Sequence, residues 1–350
     1  MRNARFGVAV VCVSLLWGCG GGSGGGGISP TNKNTNYVVT DLGEIVVNAS
    51  VSTVLINNKS SVALVSVMAQ TLPPTQEAFR VTNGAKMDLG TQASPLAIND
   101  LGQVLFPTAE YTGSGLVDYS SKFRTPGQTF QAAALNNNGQ IAGVLSGINL
   151  HGHGHAAIYS SGGFTDLGVL APYTDSQAVA INDAGQVACT TAQSPIPGNS
   201  LTTERSFLYS NGTITDLGSL GGERVDAYAI NNAGQIVGVA TIGPDPYSDT
   251  HAFLYTKGQM TDLGVLTGGQ TSYAYSINTQ GQAVGLGTTN GRSNPHAVFF
   301  TQGAVVDLND RITANSGWEL VTATGINDVG QIVGFGTWNG RQHGFLLTPQ

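Results

Sequence analysis

The stretch Ile230-Asn231-Asn232-Ala233-Gly234-Gln235 decides the fold of this 350-residue chain, because it returns five more times with little change. The other copies share an aliphatic residue, Asn, two variable residues and Gly-Gln, and they occupy 98–103, 135–140, 181–186, 277–282 and 326–331. Their glycines are spaced 37, 46, 49, 47 and 49 residues apart along the chain. A period of this length is typical of repeat architectures. Residues copied into every repeat serve the scaffold, so the phrase predicts fold better than activity.

Each repeat contains the pattern of four short strands. Small and large residues alternate at 227–230, and this period of two is typical of a strand. Asn-x-x-Gly then predicts a three-residue hairpin with a type I turn and a G1 bulge. A second strand follows at 235–240, a third reads His-Ala-Phe-Leu-Tyr at 251–255, and a fourth ends in Thr-Asp-Leu-Gly at 261–264. Four strands in about 45 residues predict one blade of a β-propeller.

The ends of the repeat region predict how the ring closes. A degenerate first copy at 55–64 lacks Gly-Gln and brings the number of first strands to seven. The last repeat stops after its third strand at 344–348, whereas residues 37–43 form an orphan fourth strand that ends in Thr-Asp-Leu-Gly. We therefore predict an all-β propeller of seven four-stranded blades over residues 37–350. Strand 37–43 would complete the last blade and cover edges that are otherwise exposed.

The repeat also resembles a known family. Its combined motifs, His-Ala-Phe-Leu-Tyr, Thr-Asp-Leu-Gly and Ala-x-x-Ile-Asn-x-x-Gly-Gln-x-x-Gly, resemble those of the HAF family of extracellular bacterial repeat proteins. The resemblance covers residues 37–348 and is strongest from residue 155 onward. It implies export and a repeat fold, and it implies no established activity and no catalytic residues. The chain departs from the motif at Arg205, which stands where the motif has His, and at 122–124.

Residues 1–18 are predicted to be a lipoprotein signal peptide. A basic start is followed by an apolar run of 12 residues at 6–17, which is too short to span a bilayer. Leu16-Trp17-Gly18-Cys19 resembles the lipobox of bacterial lipoproteins, although Trp17 departs from the small residue usual at its position. The resemblance implies cleavage before Cys19 and lipidation of its thiol. Ordinary secretion, with Cys19 incidental, is the alternative.

The Gly/Ser-rich stretch 19–36 predicts a flexible tether between the lipid anchor and the propeller. We therefore expect a protein that is exported and lipid-anchored to the cell envelope, at the outer membrane or the cell surface. The lipid would be its only link to the membrane.

Cysteine usage and charge exclude further classes of fold and of partner. With Cys12 in the leader and Cys19 as lipid acceptor, only Cys189 remains in the folded body, so an intrachain disulfide is impossible. Cys189 replaces the Gly that ends the homologous segments, which favours a buried small thiol over a nucleophile. Loss of Arg2 and Arg5 with the leader shifts the formal net charge from −7 to −9. This acidic balance argues against nucleic acid and anionic lipid as partners.

Strand direction predicts which face of the propeller carries function. Because strands alternate in direction, the short repeated turns are expected on one face and the variable connections on the other. We call the second face the loop face; its variable connections are predicted at 108–120, 146–154, 191–204, 241–250 and 288–294. Binding and catalytic residues commonly lie on loops held by a rigid scaffold. The non-repeated polar candidates on this face are Asp175, Glu204, Glu223, Arg224, Asp226, Tyr228, Tyr273, Arg311, Trp318 and Glu319.

Two repeated or clustered residue types suggest metal sites, and both have a structural interpretation that we favour. His151, His153 and His155 alternate with glycine and could ligate zinc, nickel or copper. His155, however, occupies the motif position of the third strand, and no Cys or carboxylate lies beside the other two. The Asp of Thr-Asp-Leu-Gly recurs at strand ends, which favours an acceptor for turn amides, with the motif His or Asn as a further partner. We therefore predict no metal and no cofactor.

Two functions remain after these exclusions. The first is a non-enzymatic binding module that holds an unknown protein or glycan through its loop face, a role that overlaps a structural one in the envelope. The alternative is a propeller enzyme, a lyase or hydrolase of an extracellular polysaccharide, using Arg224, Asp226, Tyr228 and Glu319. Such an Arg-Tyr-acid set could bind a sugar acid. The sequence contains no nucleophile elbow, Ser-His-Asp pattern or phosphate loop, so we favour the binding module.

Overall fold

The computed structural model describes residues 35–44, 54–68, 75–90, 94–125, 127–147, 154–192, 204–244, 249–301 and 304–350. These residues form seven antiparallel sheets that follow one another around a ring. One short 3₁₀ helix, Leu308–Arg311, is the only helix among them, and none of the described segments forms a helix suited to crossing a membrane. The predicted all-β, seven-bladed propeller is confirmed.

The four strand positions of each blade run from the centre of the ring outward. The innermost strands, for blades 1 to 7, are Val54–Ile56, Ala97–Ile98, Gln128–Leu135, Asp175–Ile181, Val225–Ile230, Ser272–Ile277 and Trp318–Ile326. The second strands are Ser61–Met68, Val104–Leu105, Ile141–Ser146, Val187–Ala192, Ile236–Thr241, Ala283–Asn290 and Ile332–Trp338. The third strands are Thr75–Thr82, Ala109–Tyr111, Gly154–Ser160, Glu204–Ser210, Thr250–Thr256, Ser293–Thr301 and Arg341–Pro349. The outer strands are Ala85–Asp88, Leu116–Asp118, Gly163–Gly168, Thr213–Asp216, Gln259–Asp262, Ala304–Asp307 and Tyr37–Glu44.

Two of the predicted variable connections are wrong. Residues 108–120 contain the third and outer strands of blade 2, and the segment 124–125 near the weak motif match pairs with the innermost strand of blade 3. Blade 2 has strands of only two or three residues, so its sequence pattern is too short to show a period. Residues 288–294 form a hairpin in which Asn290 pairs with Ser293. The loop face is therefore less uniformly lined by long loops than the sequence indicates.

The Asn of the repeated phrase joins the blades into a closed ring of hydrogen bonds. Each side-chain Nδ2 donates to the backbone carbonyl of the corresponding Asn in the next blade, at 2.8–3.3 Å. Each Oδ1 accepts the backbone amide of the residue four positions on. In six blades the second Nδ2 hydrogen goes to the motif Gln side chain. The members of this asparagine ring are all buried: Asn57, Asn99, Asn136, Asn182, Asn231, Asn278 and Asn327.

The turn that follows each ring Asn has the predicted geometry. In six blades the Gly amide donates to the Asn carbonyl at 3.0–3.2 Å, and the Gly has a φ of 71–78°. Such a positive φ is routine only for Gly, which explains why Gly recurs at this position. In blade 1 Ser60 takes the same place with a φ of 58°.

The N-terminal strand closes the ring as predicted. Tyr37–Glu44 pairs antiparallel with Arg341–Pro349, and the backbone amide of Gln350 donates to the carbonyl of Asn36 at 3.0 Å. His343 Nδ1 lies 2.8 Å from Asp41 Oδ1 across this junction. The same contact of motif His with motif Asp recurs in three other blades, and Arg205 replaces the His in blade 4 by binding Asp216. The repeated His and Asp therefore link the third strand to the outer strand.

Deletion of residues 30–43 should open the ring. The third strand of blade 7 would lose its outer partner, and the contact of His343 with Asp41 would disappear. We expect a lower melting temperature and rapid proteolysis, measured by circular dichroism and limited trypsin digestion. Deletion of residues 20–27, in the tether, is the matched control. A 30–43 deletion that melts like this control would contradict closure by the N-terminal strand.

Asn182→Ala tests the asparagine ring. Asn182 Nδ2 donates to the backbone carbonyl of Asn231 at 3.0 Å and to Gln186 Oε1 at 2.8 Å. Its Oδ1 accepts from the backbone amide of Gln186. Leaving these buried groups without partners should lower the free energy of unfolding by about 2–4 kcal/mol. Urea titration measures the change.

The neighbouring substitution Asp183→Asn is the control for the Asn182 experiment. Asp183 Oδ1 accepts from the backbone amide of Asn137, and the carboxyl also faces the side chains of Asn137 and Asn232. Burial, which outweighs the bonds from Asn137, raises the pKa of this carboxyl. An amide keeps the acceptor and removes the cost of a buried charge, so we expect unchanged or higher stability. Equal losses for both variants would contradict a special role of the ring Asn.

Candidate functional site

Five of the innermost strands share a β-bulge, and two of these bulges position tyrosines of the candidate site. In five blades the register skips the residue three positions before the ring Asn; these residues are Ala133, Val179, Tyr228, Tyr275 and Thr324. In four of these blades the second strand has a Gly opposite the bulge, at which an added Cβ would lie 1.8–2.0 Å from an innermost-strand carbonyl oxygen. This close approach requires the Gly that ends the motif. A bulge re-aims a side chain, and it is often found next to active sites.

Cys189 occupies the position of this Gly in blade 4. Its side chain is fully buried, and burial raises the pKa of the thiol well above its usual value. A buried protonated thiol is a poor nucleophile. The structure therefore agrees with the interpretation of Cys189 as a small packing residue.

Tyrosines stand at the bulge in blades 5 and 6 and form an aromatic row. The ring centroids of Tyr228 and Tyr275 are 5.4 Å apart, so the two side chains meet across the gap between neighbouring innermost strands. Tyr273 stacks on Tyr275 at 6.0 Å with an interplanar angle of 14°. The hydroxyl of Tyr273 accepts from Thr250 Oγ1 at 3.4 Å, whereas those of Tyr228 and Tyr275 have no partner among the described residues. All three tyrosines are half-buried.

An arginine held by two carboxylates lies beside the aromatic row. Arg224 Nη2 is 2.7 Å from Asp226 Oδ2, and Arg224 Nε is 3.0 Å from Glu204 Oε2. Glu204 begins the third strand of blade 4, whereas Arg224 immediately precedes the innermost strand of blade 5 and Asp226 is its second residue. Asp226 is 8% exposed, but 51% of the Arg224 side chain remains exposed. The cluster therefore joins two blades and still presents a cation to solvent.

The environment of the cluster changes the proton affinities of its members. Burial, together with the charge of Glu204, raises the pKa of the Asp226 carboxyl to about 7, although Arg224 opposes the change. Burial acts to lower the pKa of Arg224, but the charges of Asp226 and Glu204 outweigh it and raise the pKa. Burial and the nearby Asp226 raise the pKa of Tyr228 well above its usual value. The site thus holds a protonated phenol and a carboxyl that can carry a proton near neutral pH.

The structure brings three of the four predicted catalytic candidates together. Arg224, Asp226 and Tyr228 lie in one cluster, as described above. Glu319 is exposed on the innermost strand of blade 7, where Thr337 Oγ1 donates to its carboxylate at 3.5 Å. No contact among the described residues joins Glu319 to the cluster. Glu319 therefore does not belong to this site.

The other predicted candidates lie at several places around the ring. Asp175 accepts from the backbone amide of Gly154 at 3.1 Å, between blades 3 and 4. Arg311 ends the 3₁₀ helix, and Trp318 packs against Trp338 in blade 7 with ring centroids 6.2 Å apart. Glu223 is exposed next to the cluster. These positions follow from strand register and are not apparent from the sequence.

The histidine candidates are only partly described. His155 Nδ1 lies 3.0 Å from Asp166 Oδ2, so His155 has the scaffold role predicted for it. His151 and His153 lie outside the described residues, as does Cys19. Within the described ranges, no group of three or more His, Cys, Asp or Glu side chains could hold a metal ion.

Sequence reasoning missed Tyr275 and Thr250. Tyr275 sits three residues before the ring Asn278, the same position that Tyr228 holds before Asn231. Aligning the repeats by their ring Asn would have shown two tyrosines at one register in consecutive blades. The hydroxyl of Thr250 carries no sequence signal, because it depends on how the third strand of blade 5 meets blade 6.

Asp226→Asn should change how stability depends on pH. The folded protein binds the Asp226 proton more tightly than the unfolded chain does. Protonation of Asp226 therefore stabilises the fold fully below the unfolded pKa of 3.8, and this contribution to the free energy of unfolding is lost as pH rises through about 7. The amide does not titrate. We therefore expect the urea midpoint of the parent, minus that of the variant, to fall between about pH 4 and about pH 7 and to stay constant above that range.

Asp88→Asn, on the exposed outer strand of blade 1, is the matched control for this titration. Glu204 and Arg224 face Asp226, so Glu204→Gln is measured as well, to show how far the effect depends on the charge of Glu204. A difference between parent and Asp226→Asn that stays constant with pH would contradict the proposed proton affinity of Asp226.

Comparison with known proteins supports the fold. No protein-family model and no curated protein matches the chain. Among solved structures, the β-propeller domain of the Trilobed protease from Pyrococcus furiosus is similar, with 10% identity and a TM-score of 0.50 over 90% of this chain and 93% of that one. A puromycin-hydrolysing peptidase of Mycobacterium tuberculosis has 11% identity and a TM-score of 0.48, over 86% of this chain and 49% of that one. At 10% identity, the likeness to the Trilobed protease domain shows the propeller fold alone.

Proposed function

We propose that this protein is an exported, lipid-anchored binding module that holds its ligand on the loop face, at the mouth of the central channel. The observation that carries the proposal is the cluster of Arg224, Asp226 and Glu204 beside the row Tyr228, Tyr275 and Tyr273. Pockets that bind small molecules combine aromatic side chains with a few converging polar groups. This cluster has both.

The scaffold leaves few other polar groups for binding. The ring asparagines use both their donors and their acceptor within the scaffold in six blades. In five blades the motif Asp binds the motif His or Arg. In five blades, four of them the same, it accepts the backbone amide of the Gly two residues on. The unrepeated residues of the cluster and the tyrosine row, in blades 4 to 6, take no part in these repeated scaffold contacts, which supports a role in ligand recognition.

The leader and tether support the proposed location. Residues 1–18, Cys19 and the stretch 19–36 have the order expected of a signal, a lipid acceptor and a spacer. The resemblance of the repeats to the HAF family also supports export. A spacer would let the loop face reach ligands beyond the membrane surface.

An enzyme acting on an extracellular polysaccharide is the second candidate function. Its support is the raised pKa of Asp226, a carboxyl that could exchange a proton near neutral pH beside Tyr228 and Arg224. Against it, Glu319 lies elsewhere, and the carboxylate of Glu204, which faces Asp226, is engaged with Arg224. We therefore prefer binding without turnover.

Substitutions on the two faces of the full-length chain test the binding module. The site variant is Arg224→Ala/Tyr275→Ala, and the control is Leu101→Ala/Val329→Ala, at residues 69% and 63% exposed in the turns of the opposite face. Immobilised proteins are incubated with fractionated envelope polysaccharides and envelope proteins. We expect at least one component to be retained equally by parent and control, and at least tenfold less by the site variant.

Two outcomes of this experiment count against the proposal. Retention of the same components by all three proteins would contradict a binding site at the cluster. Release of shortened polysaccharide by the parent but not by Asp226→Asn, with both proteins folded by circular dichroism, would favour the enzyme instead.

A further inference from the structure

We propose that the ligand held between blades 4, 5 and 6 is a neutral glycan, bound by its hydroxyl groups and by the apolar face of a sugar ring. This inference rests on the proposed function and names the chemical class of its ligand. It differs from a sugar acid, which an Arg-Tyr-acid set suggests from sequence alone. Charge balance, hydrogen-bonding capacity and aromatic surface each support it.

The charge of Arg224 is already matched inside the protein. Its guanidinium binds Asp226 at 2.7 Å and Glu204 at 3.0 Å, so an anionic ligand that approaches Arg224 would lie close to both carboxylates. Like charges at such short distances repel strongly at the effective dielectric near a protein surface. A cationic ligand would meet the exposed guanidinium itself. Both signs of ligand charge are therefore disfavoured.

The site instead offers donors and acceptors together. The contacts of Arg224 use Nε and Nη2, which leaves Nη1 available at a side chain that is 51% exposed. The hydroxyls of Tyr228 and Tyr275 can donate and accept, and neither has a partner among the described residues. Asp226 and Glu204 present carboxylate oxygens as acceptors. Sugar hydroxyls need this mixture, because each one both donates and accepts.

The tyrosine row supplies an apolar surface next to these polar groups. Tyr273 and Tyr275 are nearly parallel, with an interplanar angle of 14°, and Tyr228 continues the row at 38° to Tyr275. Aromatic faces carry negative charge density and attract the slightly positive C–H groups of a sugar ring. The bulged residues of blades 3, 4 and 7 are Ala133, Val179 and Thr324, so this surface occupies one sector of the ring.

The two carboxylates act here as determinants of specificity. With Asp226 and Glu204 in place, Arg224 is neutralised and uronic acids are repelled. With both converted to amides, the same guanidinium would be a free anion-binding group, since Arg binds carboxylates in bidentate fashion. The double variant Glu204→Gln/Asp226→Asn should therefore reverse the preference from neutral to acidic glycans.

Calorimetric titration of the full-length chain with defined oligosaccharides tests this inference. The probes are hexasaccharides of glucose, mannose and galactose in several linkages, the hexa-uronate matching each neutral one, and a glucosamine hexamer as cationic probe. We expect at least one neutral hexasaccharide to bind, and its uronate to bind at least tenfold more weakly. Tyr275→Ala should weaken binding at least tenfold, whereas Tyr173→Ala, in the connection between blades 3 and 4, should not change it.

The double amide variant provides the decisive readout, because a merely structural role of the carboxylates would not alter the order of ligands. We expect Glu204→Gln/Asp226→Asn to bind the uronate more tightly than its neutral counterpart, with circular dichroism showing an unchanged fold. If the double variant fails to fold, Glu204→Gln alone replaces it. This single variant should reduce the tenfold difference in affinity between the neutral hexasaccharide and its uronate.

The possible failures are distinguishable from failure of the proposed function. Tighter binding of an acidic or cationic probe by the parent, lost in Tyr275→Ala, would overturn the neutral glycan and leave the binding module intact. The same holds if only an envelope protein is retained in a site-dependent manner. If no probe and no envelope component distinguishes the parent from Tyr275→Ala, both proposals are wrong.

Discussion

The buried side chain of the ring Asn is the interaction on which the rest of the molecule depends. A buried amide must satisfy two donors and an acceptor, and here it does so partly within its own turn and partly on the next blade. Leaving such a group without partners costs about 1–3 kcal/mol. Each blade is therefore positioned relative to its neighbour by a polar contact as well as by apolar packing. Because the seventh Asn bonds back to the first, the constraint closes on itself.

The residues that hold the blades together differ from those that form the candidate site. Repeated Asn, Gln, His and Asp side chains are engaged within or between blades, and in four blades the Gly opposite the bulge keeps two strands in close approach. In the five bulged blades, the bulge changes the direction of one side chain on the innermost strand. In blades 5 and 6 these residues are Tyr228 and Tyr275, and they meet beside Arg224. The candidate site thus arises where the regular scaffold has variable residues.

Much of the fold could be predicted from the sequence because the strand pattern, the turn Gly and the orphan strand 37–43 are local signals. Blade 2 was misplaced because its strands have two or three residues, too few to show alternation. Three of the four catalytic candidates converge because they are neighbours on one strand. Glu319 was wrongly grouped with them, since its position on the loop face does not fix its distance from blade 5. Tyr275 was missed because its partner belongs to a different repeat.

The sequence by itself determined that this chain forms a seven-bladed ring closed by its N-terminal strand. The repeat spacing, the Asn-x-x-Gly turns and the number of strands are all local features of the sequence. Only the tertiary structure decided which unrepeated side chains share one site. Glu204, Arg224 and Tyr275 come from three blades, and their contacts depend on strand register and on the placement of each blade against the next. The neutralisation of Arg224 by two carboxylates, and with it the proposed preference for an uncharged ligand, is likewise a property of distances that no single repeat contains.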